Sequence, residues 1–289
     1  MPELPEVESV RRGLANARIR TPITEVWRSS QALRIGEHWQ RKHENLQCLV
    51  GATPGKVGRR GKYLLWQMRA ADEQPLILLI HLGMSGRCGI ARPDQPKLAH
   101  THLIVDFAEG RQLRFVDPRR FGGLRAGPRE LIETSEPIVG LGPEPLDRRF
   151  DGRVLAESLG RSRRALRDAL LDQSAVAGIG NIYAIEALFE AGLHPLLEAD
   201  RLGPSAWQRL AECVQLVLRR GIDKGGTTLK DFRNVVGEPG RNQDDLRVYG
   251  RAGEPCRSCG AILKPFVNQG RSGVFCPVDQ AKPRKRRVD

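Results

Sequence analysis

The amino-acid sequence predicts an α+β protein with a β-rich first half, a helical second half and a small C-terminal module. The first half contains short apolar runs separated by turn residues, as β-strands do. In the second half the apolar residues recur at helical spacing. The end of the chain is irregular and contains Cys256, Cys259 and Cys276, three of the six cysteines.

The β-rich half opens with a predicted helix from Pro5 to Asn16. Proline suits the first helical position, acidic residues favour the helix N-terminus, and apolar residues then recur every three or four positions. The strand-like runs that follow end in a predicted hairpin around the turn Ala108–Gly110. These runs are Lys62–Met68, Leu76–Leu82, His102–Phe107 and Gln112–Val116.

The helical half follows Glu133–Phe150, a stretch rich in proline and glycine that is typical of a linker. Leu166–Leu171 presents leucines on one helical face. A second helix is predicted over Asn181–Ala191, with Asn181 as its N-cap, and a third over Pro204–Arg220.

The charge balance favours a polyanionic partner. The 289 residues include 47 Lys and Arg against 34 Asp and Glu, which gives a net charge of +13. Nucleic acid is the usual partner of so basic a protein, although a protein whose surface is basic without such a role would have the same net charge. The acidic start predicts no secretory signal, and the apolar run Leu76–Ile80 is too short to cross a bilayer. Cys48, Cys88 and Cys213 are isolated, which favours a reducing compartment such as the bacterial cytoplasm over a disulfide framework.

The clustered cysteines nearly match a zinc ribbon. Cys256 and Cys259 are followed by Cys276 at ribbon spacing, but Asp279 holds the position of the fourth ligand. Structural zinc sites prefer sulfur and imidazole, although carboxylate oxygen also binds zinc. The sequence therefore predicts one structural Zn²⁺ per chain, with a hairpin that folds by packing alone as the alternative. Arg271 is expected at the hairpin tip, where its guanidinium would either reach a phosphate or remain solvated.

Three further motifs hold candidate residues for nucleic-acid recognition. Asn181 follows the glycines of AGIG at a helix start, an arrangement that suits an anion as well as an ordinary cap. Met84 lies in HLGMSG after an apolar strand, where core packing is the simpler interpretation. Arg119 and Phe121 lie in DPRRFGG after the hairpin, and an exposed Phe beside arginines is typical of a side chain wedged between bases.

Taken in order, these motifs resemble the formamidopyrimidine-DNA glycosylase family. They are MPELPEVE, RRGKYLL, HLGMSG, DPRRFG, LGPEPL, AGIGNIYAIEALFEAG, GGTTLKDF and VYGRAGEPCRSCG, and they cover nearly the whole chain. Endonuclease VIII-like members of the superfamily usually begin with glycine where this chain has Leu4. The resemblance implies a catalytic N-terminal β-sandwich with flanking helices (1–132), a linker (133–150) and a helix–two-turn–helix DNA-binding domain (151–237). It also implies the lid end with a zinc-ribbon-like β-hairpin (238–280) and a basic tail (281–289).

The resemblance gives the start of the chain a chemical role. Removal of Met1 would leave Pro2 as a free secondary amine, and about a fifth of an ordinary α-amino group is uncharged near neutral pH. A secondary amine that bonds to the sugar C1′ forms an iminium with no N–H proton to lose, so it stays cationic and draws electrons during elimination. Glu3 would donate and accept protons beside it. The alternative is an N-terminal proline without catalytic duty.

The resemblance also implies the DNA contacts. Lys62 and Arg271 would hold phosphates and donate protons during elimination. Met84, Arg119 and Phe121 would fill the space left by the everted nucleotide, because extrusion of a base costs a few kcal/mol of stacking. Gly225–Gly250 resembles a mobile lid over the extruded base. The remaining implied DNA-binding residues are His81, His102, Asn181 and Tyr249.

The chain departs from the family pattern at several positions besides Asp279. Arg167 stands where the family usually has lysine, and Ile185 replaces a residue that is usually polar. Gly240–Gln243 lacks the aromatic residue often found in the lid, which bears on damaged-base preference. The tail Lys282–Arg287 extends past the usual end and is expected to add nonspecific DNA affinity.

The expected activity is therefore bifunctional. The enzyme would excise oxidised purines, chiefly 8-oxoguanine and formamidopyrimidines, from duplex DNA and cleave the abasic site by β,δ-elimination. The alternatives are the same scaffold acting on oxidised pyrimidines, and a noncatalytic protein that binds damaged DNA. The intact Pro2–Glu3 pair argues against the noncatalytic reading. The protein is expected to be a monomer in the bacterial cytoplasm, associated with the nucleoid and not with a membrane.

Overall fold

The computed structural model describes residues 1–33 and 46–281. The chain divides into two compact units, which are described separately. The N-terminal unit comprises Met1–Gly140 and Gly221–Gln243, and the helical unit comprises Leu141–Arg220 with the chain from Asp244 onward. The basic tail Lys282–Arg287 lies outside the described residues. Within the described chain, no helix is long and apolar enough to cross a membrane.

The N-terminal unit is a β-sandwich of two antiparallel four-stranded sheets. Numbered in chain order, the strands of one sheet lie in the order first, sixth, seventh and fifth, and those of the other in the order second, third, fourth and eighth. Helix α1 (Leu4–Asn16) precedes the strands, and α2 (Arg129–Glu133) and α3 (Glu136–Val139) follow them. The strands are β1 (Ile23–Arg28), β2 (Thr53–Arg60), β3 (Tyr63–Arg69), β4 (Pro75–His81), β5 (Arg87–Ala91), β6 (Thr101–Phe107), β7 (Gln112–Val116) and β8 (Gly123–Pro128).

Strand β4 shows how the sandwich is built from its sequence. Successive side chains of a strand point to opposite faces, so the continuous apolar run of β4 requires a cover on both sides. Leu78 packs into the core between the sheets, whereas Ile77 packs on the other face against Ile132 of α2 and Ile138 of α3. Trp66 and Phe107 meet across the two sheets with ring centroids 6.0 Å apart.

The helical unit, as far as residue 281, contains four α-helices and a β-hairpin. Asp151 caps the first helix, because its carboxylate accepts hydrogen bonds from the backbone N–H groups of Arg153 and Val154. The hairpin consists of two five-residue antiparallel strands. The elements are α4 (Gly152–Leu159), α5 (Leu166–Leu170), α6 (Asn181–Glu190), α7 (Pro204–Asp223, which continues past the unit boundary), β9 (Lys264–Asn268) and β10 (Arg271–Phe275).

The α+β class is confirmed, and so are the opening helix and the hairpin formed by β6 and β7. The compact units cut the chain elsewhere than the predicted domains, whose boundaries stay a prediction. Within the stretch 133–150 that composition assigns to a linker, Glu136–Val139 forms a helix. The segment 221–243 groups with the N-terminal unit.

Candidate active site and nucleic-acid interface

The start of the chain is held by one buried carboxylate. Pro2 is buried and Glu3, which is 3% exposed, is the N-cap of α1. The Glu3 N–H donates to Glu6 Oε2 at 2.8 Å, and the N–H of Thr227 donates to Glu6 Oε1 at 2.6 Å. Glu6 therefore fixes the backbone beside Pro2 and joins it to the segment 221–243.

Polar contacts join residues 227–228 to residues 242–243 near the two ends of the segment 221–243. Asn242 is buried and donates from Nδ2 to Thr227 Oγ1 at 2.8 Å, and Gln243 Oε1 accepts from the Thr228 N–H at 3.0 Å. A Cβ at Gly240 would lie 2.0 Å from the carbonyl oxygen of Gly226, so glycine is required for this backbone approach. Asn242 and Gln243 thus hold the two ends of the segment 221–243 together.

Lys62 and His81 form a buried basic pair beside strands β3 and β4. Their exposed fractions are 7% and 8%, and the His81 ring lies 4.7 Å from the ring of its cross-strand partner Tyr63. Burial, followed by the positive charge of Lys62, lowers the pKa of His81 to about 3. The Gly83 N–H donates to His81 Nδ1 at 3.1 Å. The neutral ring therefore carries its proton on Nε2, which is the tautomer able to donate to a phosphate oxygen.

Two loops of the N-terminal unit bring Met84, Arg119 and Phe121 together. The turn after β4 packs its backbone on the loop between β7 and β8, since a Cβ at Gly83 would lie 2.3 Å from the carbonyl carbon of Phe121. Met84 is 37% exposed at this turn. The Arg119 guanidinium lies over the Phe121 ring, 4.9 Å from its centroid. An exposed thioether, a cation and an aromatic ring are thus presented by adjacent loops.

Asp117 organises both loops, and sequence reasoning did not identify it. It is fully buried directly after β7 and accepts from Ser85 Oγ and from the Gly122 N–H, each at 2.6 Å. Ser85 Oγ in turn accepts from the Arg119 N–H at 3.2 Å. The only sequence signal was an aspartate between a strand and a proline, which is typical of ordinary turns.

His102 lies in the interior of the same unit. It is 2% exposed on β6, with Nδ1 2.8 Å from Ser29 Oγ and Nε2 3.1 Å from the carbonyl oxygen of Asp117. Both ring nitrogens therefore face protein groups. This environment favours support of the Asp117 loop over direct contact with DNA.

In the helical unit, Asn181 is not the helix cap that the sequence predicted. Gly180 is the N-cap of α6, and Asn181 is the first helical residue. The Asn181 side chain does not cap the helix: Nδ2 donates to the Ser272 carbonyl oxygen at 2.9 Å, and Oδ1 accepts from Arg167 at 3.3 Å. Tertiary partners have thus replaced the local capping contact.

Arg271 follows a tight two-residue turn between β9 and β10. Both turn residues, Gln269 and Gly270, have positive φ, as the common two-residue hairpin turn requires. Arg271 is exposed and pairs in register with Asn268. The sequence prediction of an arginine at the hairpin tip agrees with this position.

Tyr249 is held through its backbone by a carboxylate of α6. Glu186 is 4% exposed and accepts hydrogen bonds from the N–H groups of Arg247, Val248 and Tyr249 at 2.8 to 3.0 Å. Burial raises the pKa of Glu186, and the three backbone donors oppose that shift. Glu186 was another residue that sequence reasoning missed, because its partners lie about sixty positions away.

The predicted zinc ligands converge. The candidate ligand atoms of Cys256, Cys259, Cys276 and Asp279 all lie within 4.8 Å of one another. Cys259 Sγ is 3.4 Å from Cys276 Sγ, and Cys256 Sγ is 3.2 Å from Asp279 Oδ2. Three sulfurs and one carboxylate oxygen at these separations fit a four-coordinate Zn²⁺. When bound, zinc would crosslink the hairpin ends and supply no step of the reaction.

Asp279 gives the zinc site a testable property. Carboxylate is a harder ligand than thiolate, so Asp279→Cys is expected to slow chelator-driven zinc loss by about tenfold or more. Purified protein is expected to contain about one zinc per chain. Asp279→Ala is expected to lose most of it, while Asp244→Ala, at an exposed aspartate of the same unit, keeps it. Metal analysis that finds no zinc in folded protein would contradict the assignment.

A β-sandwich unit and a helical unit with a cysteine hairpin, in a strongly basic chain, fit the class of DNA-repair glycosylases that the sequence motifs resemble. Residues 1–124 match the formamidopyrimidine-DNA glycosylase N-terminal domain, residues 141–233 its H2TH domain, and residues 253–281 the zinc finger found in FPG and IleRS. The formamidopyrimidine-DNA glycosylase of Stenotrophomonas maltophilia is 44% identical over 96% of this chain and 98% of its own. The chain belongs to the formamidopyrimidine-DNA glycosylase family.

Solved structures agree in fold over nearly the full length. A Lactococcus lactis FPG variant in complex with DNA containing Fapy-dG has a TM-score of 0.84 and 33% identity, covering 97% of this chain and 100% of its own. The wild-type L. lactis protein with DNA containing an oxidised pyrimidine has a TM-score of 0.83, 33% identity and the same coverage. The DNA of the first complex contains a formamidopyrimidine lesion, which belongs to the expected substrate class. The DNA of the second contains an oxidised pyrimidine, which belongs to the alternative substrate class.

Proposed function

We propose that this protein is a bifunctional DNA glycosylase and abasic-site lyase that excises oxidised purines from duplex DNA. The observation that carries the proposal is the proline–glutamate start held in place by Glu6 in a member of this family. Met1 is 56% exposed, so it is accessible for removal, and Pro2 then becomes a secondary amine. The proposed setting is the bacterial cytoplasm, at the nucleoid, with the protein acting as a monomer.

The reaction begins at the sugar. The Pro2 nitrogen bonds to C1′ as the bond from C1′ to the damaged base breaks, and the proton that the amine loses passes to the departing base. Glu3 then donates a proton to the ring oxygen as the bond between C1′ and that oxygen breaks, which leaves an iminium between Pro2 and C1′. The resulting iminium acidifies the C2′ hydrogens, so loss of one proton expels the 3′ phosphate. A second elimination expels the 5′ phosphate. Lys62 and Arg271 are proposed to hold these phosphates and to donate protons during elimination.

The loops define the proposed recognition of the lesion. Extrusion of a nucleotide leaves a gap in the stack, and filling the gap offsets the lost stacking. The Phe121 ring wedges beside the gap, Arg119 addresses the orphaned base and Met84 fills the remaining space. His81, Asn181 and Tyr249 bind the backbone, whereas His102 supports the loop from within.

Borohydride trapping tests the function directly. Full-length protein is incubated with duplexes containing 8-oxoguanine opposite cytosine, thymine glycol or no lesion, and the covalent adduct is measured after reduction. We expect trapping on the 8-oxoguanine duplex to exceed trapping on thymine glycol. The reverse order would favour the pyrimidine alternative, and lesion binding without any adduct would indicate a noncatalytic protein.

A further inference from the structure

A polar cluster around a buried ion pair connects α5 to the turn of the β-hairpin, and no step of the proposed reaction uses that ion pair directly. Its members are Arg167, Asp168, Asn181 and Asn268, which are called the hairpin clamp below. We propose that Arg167 and Asp168 are positioning residues that hold the turn carrying Arg271 and the carboxamide of Asn181 for phosphate binding. This inference rests on the proposed function, since it assigns these two groups to the DNA backbone.

Arg167 cannot serve as a phosphate ligand itself in this arrangement. It is a large side chain with 0% exposure, and Asp168 beside it is 6% exposed. Arg167 Nε lies 2.8 Å from Asp168 Oδ1 as an ion pair, although the two atoms are not aligned for a hydrogen bond. A buried ion pair is costly to desolvate, so it is retained only where further hydrogen bonds compensate.

The clamp supplies those hydrogen bonds through the backbone carbonyl and the side-chain amide of Asn268. Arg167 Nη2 donates to the Asn268 carbonyl oxygen at 2.7 Å, and Asn268 Nδ2 donates to Asp168 Oδ2. The backbone and the side chain of one hairpin residue are therefore held by two adjacent residues of α5. The Arg167 guanidinium also lies 5.6 Å from the centroid of the Phe266 ring on the same strand.

The second arm of the guanidinium reaches the start of α6. Arg167 Nη1 donates to Asn181 Oδ1 at 3.3 Å, while Asn181 Nδ2 donates to the Ser272 carbonyl oxygen at 2.9 Å. The orientation of the Asn181 carboxamide is thus set from both sides. The planar fork of arginine donates to Asn181 and Asn268 from two separate nitrogens, whereas a lysine would have to reach both acceptors from one ammonium.

The clamp acts on Arg271 through a short, stiff path. Asn268 and Arg271 are paired across the turn, with two positive-φ residues between them. Fixing Asn268 therefore fixes the backbone from which the Arg271 side chain extends. Burial lowers the pKa of Arg167, the Asp168 carboxylate opposes that shift, and the charge of Arg271 adds to it. The Asp168 carboxylate thus compensates the charge of the buried Arg167 guanidinium, which lies near the exposed guanidinium of Arg271.

The experiment compares Arg167→Met, Arg271→Ala and the double variant in the full-length protein. Dissociation constants are measured at several salt concentrations for a duplex that contains a tetrahydrofuran analogue of the abasic site, which lacks the C1′ hydroxyl and so is bound without being cleaved. Loss of one phosphate contact lowers the salt slope by about one. We expect Arg271→Ala to show that loss and Arg167→Met to show most of it, with about tenfold weaker binding. The double variant is expected to match the salt slope of Arg271→Ala, because both changes remove the same ionic phosphate contact and the Asn181 carboxamide is uncharged.

Two controls separate positioning from folding. Arg167→Lys keeps the charge beside Asp168 but lacks the fork, so its slope should lie between wild type and Arg167→Met. Arg201→Met, at an exposed arginine paired with Glu198 in the same unit, is expected to retain the wild-type slope. If Arg167→Met fails to fold, Arg167→Lys provides the test at unchanged zinc content and melting temperature.

The proposal is overturned if folded Arg167 variants keep the wild-type salt slope. It is also overturned if the reductions in salt slope caused by Arg167→Met and Arg271→Ala add in the double variant. An Arg271→Ala variant with an unchanged slope also overturns it, since the clamp would then hold no phosphate ligand. Failure of the proposed function is a different result. In that case wild-type protein forms no borohydride adduct with any lesion duplex.

Discussion

Replacing Pro2 with glycine is expected to reduce incision at an abasic site by about a thousandfold, equivalent to about 4 kcal/mol of activation free energy. Glycine still provides an amine at the chain start, but its imine can lose the N–H proton and become neutral. The neutral imine no longer draws electrons from C2′, so elimination of the phosphates slows. Incision of an abasic duplex in single-turnover conditions measures this effect, and borohydride trapping measures formation of the adduct.

The matched control for this prediction is Pro5→Ala. Pro5 lies at the start of α1 but outside the chain terminus, so its replacement changes the helix and leaves the amine intact. Retention of one extra residue ahead of Pro2 should cripple incision as strongly as Pro2→Gly does, because it converts the amine to an amide. Mass spectrometry of the reduced adduct locates the bond. An adduct on Lys62, or full incision by the extended protein, would contradict the mechanism.

The sequence predicted those features of the fold that depend on local periodicity. Leu103, Val105 and Phe107 alternate along β6, and all three are buried in the sandwich core. The turn at Ala108–Gly110 gave the correct hairpin, because strands paired through a short turn need no distant information. The candidate zinc ligands could also be predicted from the sequence, since the four residues converge in the structure as their spacing indicated.

Features that depend on distant partners could not be predicted. Asn181 has the local signature of an N-cap, yet its side chain contacts Ser272, about ninety residues away. The acidic residues at the start of α1 were expected only to favour the helix N-terminus, whereas one of them, Glu6, also accepts a hydrogen bond from the Thr227 N–H. The grouping of segment 221–243 with the sandwich was missed for the same reason. Such contacts arise from tertiary packing, which overrides local propensity without leaving a periodic signal.

Asp117→Ala is expected to be the most damaging substitution among the loop residues that do not themselves contact DNA in the proposed mechanism. It leaves Ser85 Oγ and the Gly122 N–H without their buried acceptors. An orphaned buried polar group costs about 1–3 kcal/mol, so the loss of unfolding free energy should reach about 3 kcal/mol. The same acceptors connect the turn of Met84 to the loop of Arg119 and Phe121. Lesion capture should therefore weaken by more than the binding of undamaged duplex.

Asp117→Asn tests whether the loops depend on the hydrogen bonds of residue 117 or on its negative charge. Asparagine can still accept from the Gly122 N–H and can donate to Ser85 Oγ, which keeps both loops joined. It should therefore retain most of the stability and the lesion preference that Asp117→Ala loses. Asp94→Ala removes an exposed aspartate of the same unit, paired only loosely with Arg92, and controls for the change in net charge. Thermal unfolding and paired binding measurements on lesion and plain duplexes distinguish the variants. Equal weakening of both duplexes in Asp117→Ala would show that the carboxylate stabilises the unit without organising the loops for the lesion.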